Sequence, residues 1–173
     1  MSMRRAVVFI LPFMSACMAG VSPTVLSNGA ESSGSVGVHP PGTGTGTGPV
    51  EVNEGFSLLL NDERRANGVM EVQMDSRLTA AAQAHADDMV DNGYLSHTDL
   101  TGGGPGDRAT AVGYDWNFIA ENIAQGFYSN AAVIDAWMNS PGHRANMLDS
   151  RAEDFGIARV DSTWVLMLGR EFD

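Results

Sequence analysis

The chain contains no lysine, and its only cysteine is Cys17. A single thiol forms no internal disulfide, so packing alone must stabilise the fold. It also leaves the folded part without a nucleophile for cysteine-protease chemistry. All ten basic residues are arginine, they face 21 acidic ones, and the net charge is −11. Such a surface repels nucleic acid phosphates, which excludes nucleic acid as a partner. It also disfavours contact with anionic headgroups through a basic patch. No Gly-x-Ser-x-Gly elbow is present, so Ser96 and Ser140 are poor serine-nucleophile candidates. The Gly-Thr repeat of residues 42–48 has no Lys-Ser/Thr after it and is no phosphate loop.

What is present begins with an export pattern. Arg4 and Arg5 precede the apolar run AVVFILPFM at 6–14, which is followed by small residues at 15–17. Nine residues are too few to cross a bilayer, which takes ~20 in a helix, and Pro12 weakens the run as a permanent anchor. The sequence Met14-Ser15-Ala16-Cys17 resembles the bacterial lipobox, with methionine where leucine is preferred. The expectation is therefore a lipoprotein signal peptide over 1–16 and a lipid on Cys17 that holds the protein to a membrane. Residues 17–50, rich in Gly, Ser, Pro and Thr, read as a flexible tether, and His39 within it has no assigned role.

From residue 51 to 173 the composition is that of a globular domain. A first helix is expected over 54–68, with Phe56, Leu59, Leu60 and Glu63 along one stripe and Gly68 as its stop. A short alternating piece, 70–74, leads to the strongest helix, 75–93, capped by Asp75 or Ser76 and ended by Gly93. Residues 94–117 read as a long irregular segment, and 118–127 as an apolar run bounded by turn residues. Asn130 is expected to cap a helix over 131–139. Two β-like runs, 155–161 and 163–172, form a hairpin turning at Asp161-Ser162. Helices first and a hairpin last indicate the α+β class.

Chemistry rests on three histidines and one glutamate. His85 shares a helical face with Leu78, Ala82 and Met89, and reads as a core residue satisfied by one hydrogen bond. His97 sits on a loop after Gly93, where packing is not its main reason for being there. His143 follows Ser140-Pro141-Gly142, which fits a helix N-cap with proline in the first turn. The positive end of the helix dipole should keep that imidazole neutral, ready to bind metal or accept a proton. Glu121 lies in the apolar segment AENIA, where a carboxylate is costly unless paired. Its partner is either an arginine, Arg108 or Arg144, or the two histidines. Sequence separations of 24 and 22 residues do not decide between these.

Several of these segments resemble the CAP superfamily of cysteine-rich secretory, antigen 5 and pathogenesis-related proteins, in particular its bacterial, disulfide-free branch. The carriers are LSH (95–97), AENIA (120–124), WMNSPGHRANML (137–148), NDERRANG (61–68), LTAAAQAHADDM (78–89) and Gly113-Tyr114. The resemblance covers about residues 54–172 and implies a three-layer α-β-α sandwich with a central antiparallel sheet and a large cleft. It places His97, Glu121 and His143 in that cleft, where histidines of the family bind zinc or another divalent metal. A second family glutamate falls on Ser140 here, which leaves two histidines and one carboxylate.

The primary expectation is thus an extracytoplasmic CAP lipoprotein of the bacterial envelope, or a secreted one. Its cleft would bind a divalent metal such as zinc through His97, His143 and Glu121, together with a small lipid, glycan or peptide. The rival is a metal-dependent extracytoplasmic hydrolase, a peptidase, with Glu121 as general base. A structural surface protein, whose cleft residues only stabilise the fold, is the third reading.

Overall fold

A computed structural model describes residues 49–173, with side chains described from Gly55 onward. The expected signal segment 1–16, Cys17 with its expected lipid, His39 and the expected tether up to residue 48 lie outside the described residues. The elements, in order, are α1 (Pro49–Ala66), β1 (Gln73–Met74), α2 (Ser76–Asn92), α3 (Pro105–Ala111), β2 (Trp116–Gln125), α4 (Asn130–Met138), α5 (Pro141–Met147), β3 (Asp154–Val160) and β4 (Thr163–Glu171). Helix α1 begins two residues inside the stretch read as tether. Among the described residues no helix is long and apolar enough to cross a membrane.

The sheet order is β1-β3-β4-β2. The β2–β4 and β3–β4 pairs are antiparallel, whereas the two-residue β1 runs parallel to β3, so the sheet is mixed. Strand β4 is the centre, and its side chains alternate between two cores. Trp164, Leu166 and Leu168 join Phe56, Leu60, Val133, Trp137 and Met147 on the face covered by α1, α4 and α5. Val165 and Met167 join Leu78, Ala82, Met89 and Ala109 on the face covered by α2 and α3. The result is three layers, α-β-α, of the α+β class. Because both faces are covered, β3 and β4 read as almost continuous apolar runs.

Local signals explain most boundaries. Asp75 accepts from the Arg77 and Leu78 amides at the start of α2, and Gly93 closes the helix at φ 67°. The hairpin turns at Asp161 (φ 53°) and Ser162, as expected. Three details differ from the sequence reading. The segment 94–117 is not wholly irregular, because Pro105 opens the short α3 and β2 begins at Trp116. The cap of α4 is Ser129, whose hydroxyl accepts from the Ala132 amide at 3.2 Å, and Asn130 is the first helical residue. On α1 the buried stripe runs Phe56, Leu60, Arg64, with spacings of four, and Glu63 is only half-buried.

Arg64 is fully buried and takes the place of a hydrophobic residue by giving each guanidinium nitrogen at least one carbonyl. Its guanidinium donates to the carbonyls of Met70 (2.7 Å), Met147 (2.7 Å), Asp149 (3.1 Å) and Ala152 (3.2 Å). It thereby fastens the end of α5 to the end of α1. Burial holds its pKa below the ordinary arginine value, with Asp149 opposing.

Candidate functional site

The site is built around β2, an edge strand. Successive side chains on a strand point to opposite faces. Ile119 and Ile123 pack into the α2–α3 core, and Glu121 shares their side; Phe118, Ala120 and Ala124 pack on the α4–α5 side, with Asn122 among them.

Glu121 has a side chain only 1% exposed, and both its oxygens are engaged. Oε1 meets His97 Nδ1 at 2.8 Å, and Oε2 accepts from Arg108 Nη2 at 2.7 Å. The arginine reading of Glu121 therefore holds for Arg108, and of the two histidines only His97 bonds the carboxylate. Arg144 takes no part, donating instead to Asn67 Oδ1 at 2.7 Å. Such a carboxylate, with one face neutralised and the other orienting an imidazole, is stable where a lone one would not be.

His97 is held from three directions. Glu121 grips its ring, Arg108 Nη2 also donates to its carbonyl at 2.9 Å, and His85 Nε2 donates to the preceding carbonyl, Ser96 O, at 2.9 Å. Its side chain is nonetheless 51% exposed, so with Nδ1 turned to Glu121 the remaining nitrogen, Nε2, is the one left for a ligand. His85 is the core residue the sequence suggested, 1% exposed with one hydrogen bond. Burial first, and the Arg108 charge second, push its pKa down, against the pull of Glu121 and Asp88. Its Nδ1 and the Arg108 Nε have no hydrogen-bond partner.

His143 lies in the first turn of α5, half-buried, with its ring 6.4 Å from that of Trp137. Its pKa is also lowered, by burial first and by His97 second. The two imidazoles are thus within electrostatic reach of each other, and both causes favour a neutral His143. Ser140 occupies the N-cap position, but its hydroxyl makes no capping bond. His143 makes no hydrogen bond to Glu121. Instead, the fully buried Asn122 donates from Nδ2 to the His143 carbonyl at 3.0 Å, and Asn146 Nδ2 donates to Asn122 Oδ1 (2.9 Å) and to Glu121 O (3.1 Å).

The structure therefore joins His97 to Glu121 directly and to His143 only through space. Among the described residues, no group of three or more His, Cys, Asp or Glu is arranged to hold a metal ion. Glu121 stands behind His97, bonded to its Nδ1. A separate open hollow of about 280 Å³ adjoins Arg108 on its α2 side, lined by Ala84, His85, Asp88, Asp99, Leu100 and Thr101. None of His97, Glu121 and His143 lines it. Sequence reading missed Arg108 as a structural hub and missed Asn122 and Asn146 altogether. The alternation along β2 was the available signal for Asn122, since it puts a polar residue on an apolar face.

Comparison with known proteins agrees with this architecture. The chain is 38% identical to the Bacillus subtilis protein YkwD over 104 residues, which is 60% of this chain and 40% of YkwD. It is 31% identical over 99 residues to the Bacillus subtilis membrane protein YlbC, covering 57% of this chain and 29% of YlbC. The chain thus spans well under half the length of these relatives. Among solved structures, an extracellular protein containing an SCP domain from Bacillus anthracis superposes with a TM-score of 0.67 at 26% identity, covering 74% of this chain and 45% of that one. An outer surface protein from Borrelia burgdorferi shares the fold, with a TM-score of 0.66 at 22% identity over 70% of this chain and 94% of that one. The model of the CAP family, the cysteine-rich secretory protein family, matches residues 58–167, and the chain belongs to that family.

Proposed function

We propose that this CAP domain is an exported binding module, whose recognition element is the His97–His143 pair. The observation that carries this reading is the His97–Glu121 contact at 2.8 Å, backed by Arg108. A histidine oriented by a carboxylate, and kept half-exposed, is the support that metal-binding imidazoles use. His97 and His143 would hold a divalent ion such as zinc, and the ion would supply open coordination positions for a small lipid, glycan or peptide. Export as a lipoprotein with its lipid on Cys17 fits the N-terminal residue pattern, and the extracellular and outer-surface neighbours support an extracytoplasmic location.

Calorimetric titration of zinc into the chelator-stripped full chain tests the metal. Saturable binding is expected, and it disappears in the His97→Ala/His143→Ala double variant; equal affinity in that variant refutes the reading. Replacing Cys17 by Ser should move the protein from the membrane fraction to the soluble one.

A peptidase reading asks Glu121 to accept a proton from water. Both its oxygens are already bonded in a nearly closed environment, one to His97 and the other to the Arg108 guanidinium. The geometry makes Glu121 an orienting group instead. A screen of peptide and ester substrates with and without chelator decides this, and chelator-sensitive turnover abolished by Glu121→Gln would reinstate the hydrolase.

A further inference from the structure

The two halves of the candidate site sit on different elements, His97 on the loop after α2 and His143 on α5. Strand β2 bonds to both, Glu121 to the His97 ring and Asn122 to the His143 carbonyl. We infer that Asn122 is the positioning residue for His143, as Glu121 is for His97, so that two adjacent residues of one strand place both histidines, one gripped at its ring and the other at its backbone. This rests on the reading of the histidine pair given above.

The geometry is specific. Asn122 is fully exposed to neither solvent nor the charged side of the strand: it is 0% accessible and shares its face with Phe118, Ala120 and Ala124. An amide there is costly unless its donors and acceptor are satisfied. Its Nδ2 donates to the backbone of His143 itself, and its Oδ1 accepts from Asn146, one helical turn further along α5. Asn146 returns to the strand through Glu121 O. The amide thus pins the first and last parts of this seven-residue helix to the strand that carries Glu121. The His143 backbone is thereby anchored to β2, and its ring lies 6.4 Å from that of Trp137, which itself donates to Ile123 O at 3.4 Å. Neither contact reaches the His97 side, so the support of His143 can be removed without touching His97–Glu121.

The test uses Asn122→Ala and the similarly sized Asn122→Leu, with Asn146→Ala for comparison, in the full chain. In metal-free protein, nuclear Overhauser contacts between the His143 and Trp137 rings are expected to vanish in both Asn122 variants. Those of His97 with its neighbours should persist. Zinc affinity is expected to fall about 10- to 100-fold in the Asn122 variants, the range found for groups that orient a ligand, and less in Asn146→Ala. Retained His143–Trp137 contacts, or loss of His97 and His143 contacts together, would overturn the assignment. So would failure of both Asn122 variants to fold, which would make the amide a purely structural residue. If the unmodified chain takes up no zinc, the metal reading falls, while the metal-free spectra still decide the role of Asn122.

Discussion

At the scale of single residues, Arg108 has the widest reach. It neutralises Glu121, holds the His97 carbonyl, and donates to Gly103 O at 3.2 Å. Replacing it with methionine keeps the aliphatic volume but strands a buried carboxylate. The expected loss is about 3 kcal/mol in chemical denaturation, with Glu121→Gln in the same background restoring part of it. His97, Glu121 and His143 were legible in the sequence because each stood where packing did not call for it: a loop, an apolar run, a helix entry. Arg64 was not legible, since the stripe of Phe56 and Leu60 asks for an apolar residue four positions on. Its partners lie between 6 and 88 residues away. Only the fold shows four carbonyls converging there. Asn122 was hidden by its neighbour, whose charge drew the eye within the same five-residue motif.

At the scale of elements, the close approach of α2 to β3 is the tightest constraint. A β-carbon added at Gly156 would lie 2.2 Å from the Leu78 carbonyl carbon and the Thr79 amide nitrogen, which are helix backbone and have little freedom to give way. Gly156→Ala is therefore expected to cost about 3 kcal/mol or more, seen as a lowered denaturation midpoint. Helix α2 could be read from its caps, and the β3–β4 hairpin from its apolar runs and turn. Helix α3 escaped notice because the glycines at 102, 103, 104 and 106 punctuate its start and it has only seven residues. The parallel pairing of β1 with β3 rests on two residues, too few to leave a periodic signal.

At the scale of the whole molecule, pH should act through buried imidazoles as well as through the acidic surface. His85 and His143 both have folded pKa values below the ordinary histidine range. The unfolded chain therefore takes up protons first as pH falls, near about 6.5, and the stability these neutral rings contribute is present above that value. It is lost as pH drops from there toward the folded values. Lowering the pH from 7.5 to 5.5 should reduce the thermal midpoint by a few degrees. The drop should be shallower in His85→Gln, which removes the group facing Arg108, Glu121, Asp88 and the Tyr94 ring. Carboxylates such as Asp99, held at about 2 by Thr101 and Gly103, add their own loss only in stronger acid.

The alternation of β2 has one more outcome. Glu121 and Asn122 look in opposite directions, opposite Met167 and Leu166 of β4. Sliding the strand by one position, as a single-codon deletion within 118–120 would do, turns the acid into the oily layer beneath α5 and offers the amide to His97. Both imidazoles then lose their props in one event, something no lone side-chain exchange achieves. The length of this strand should consequently tolerate less change than its composition.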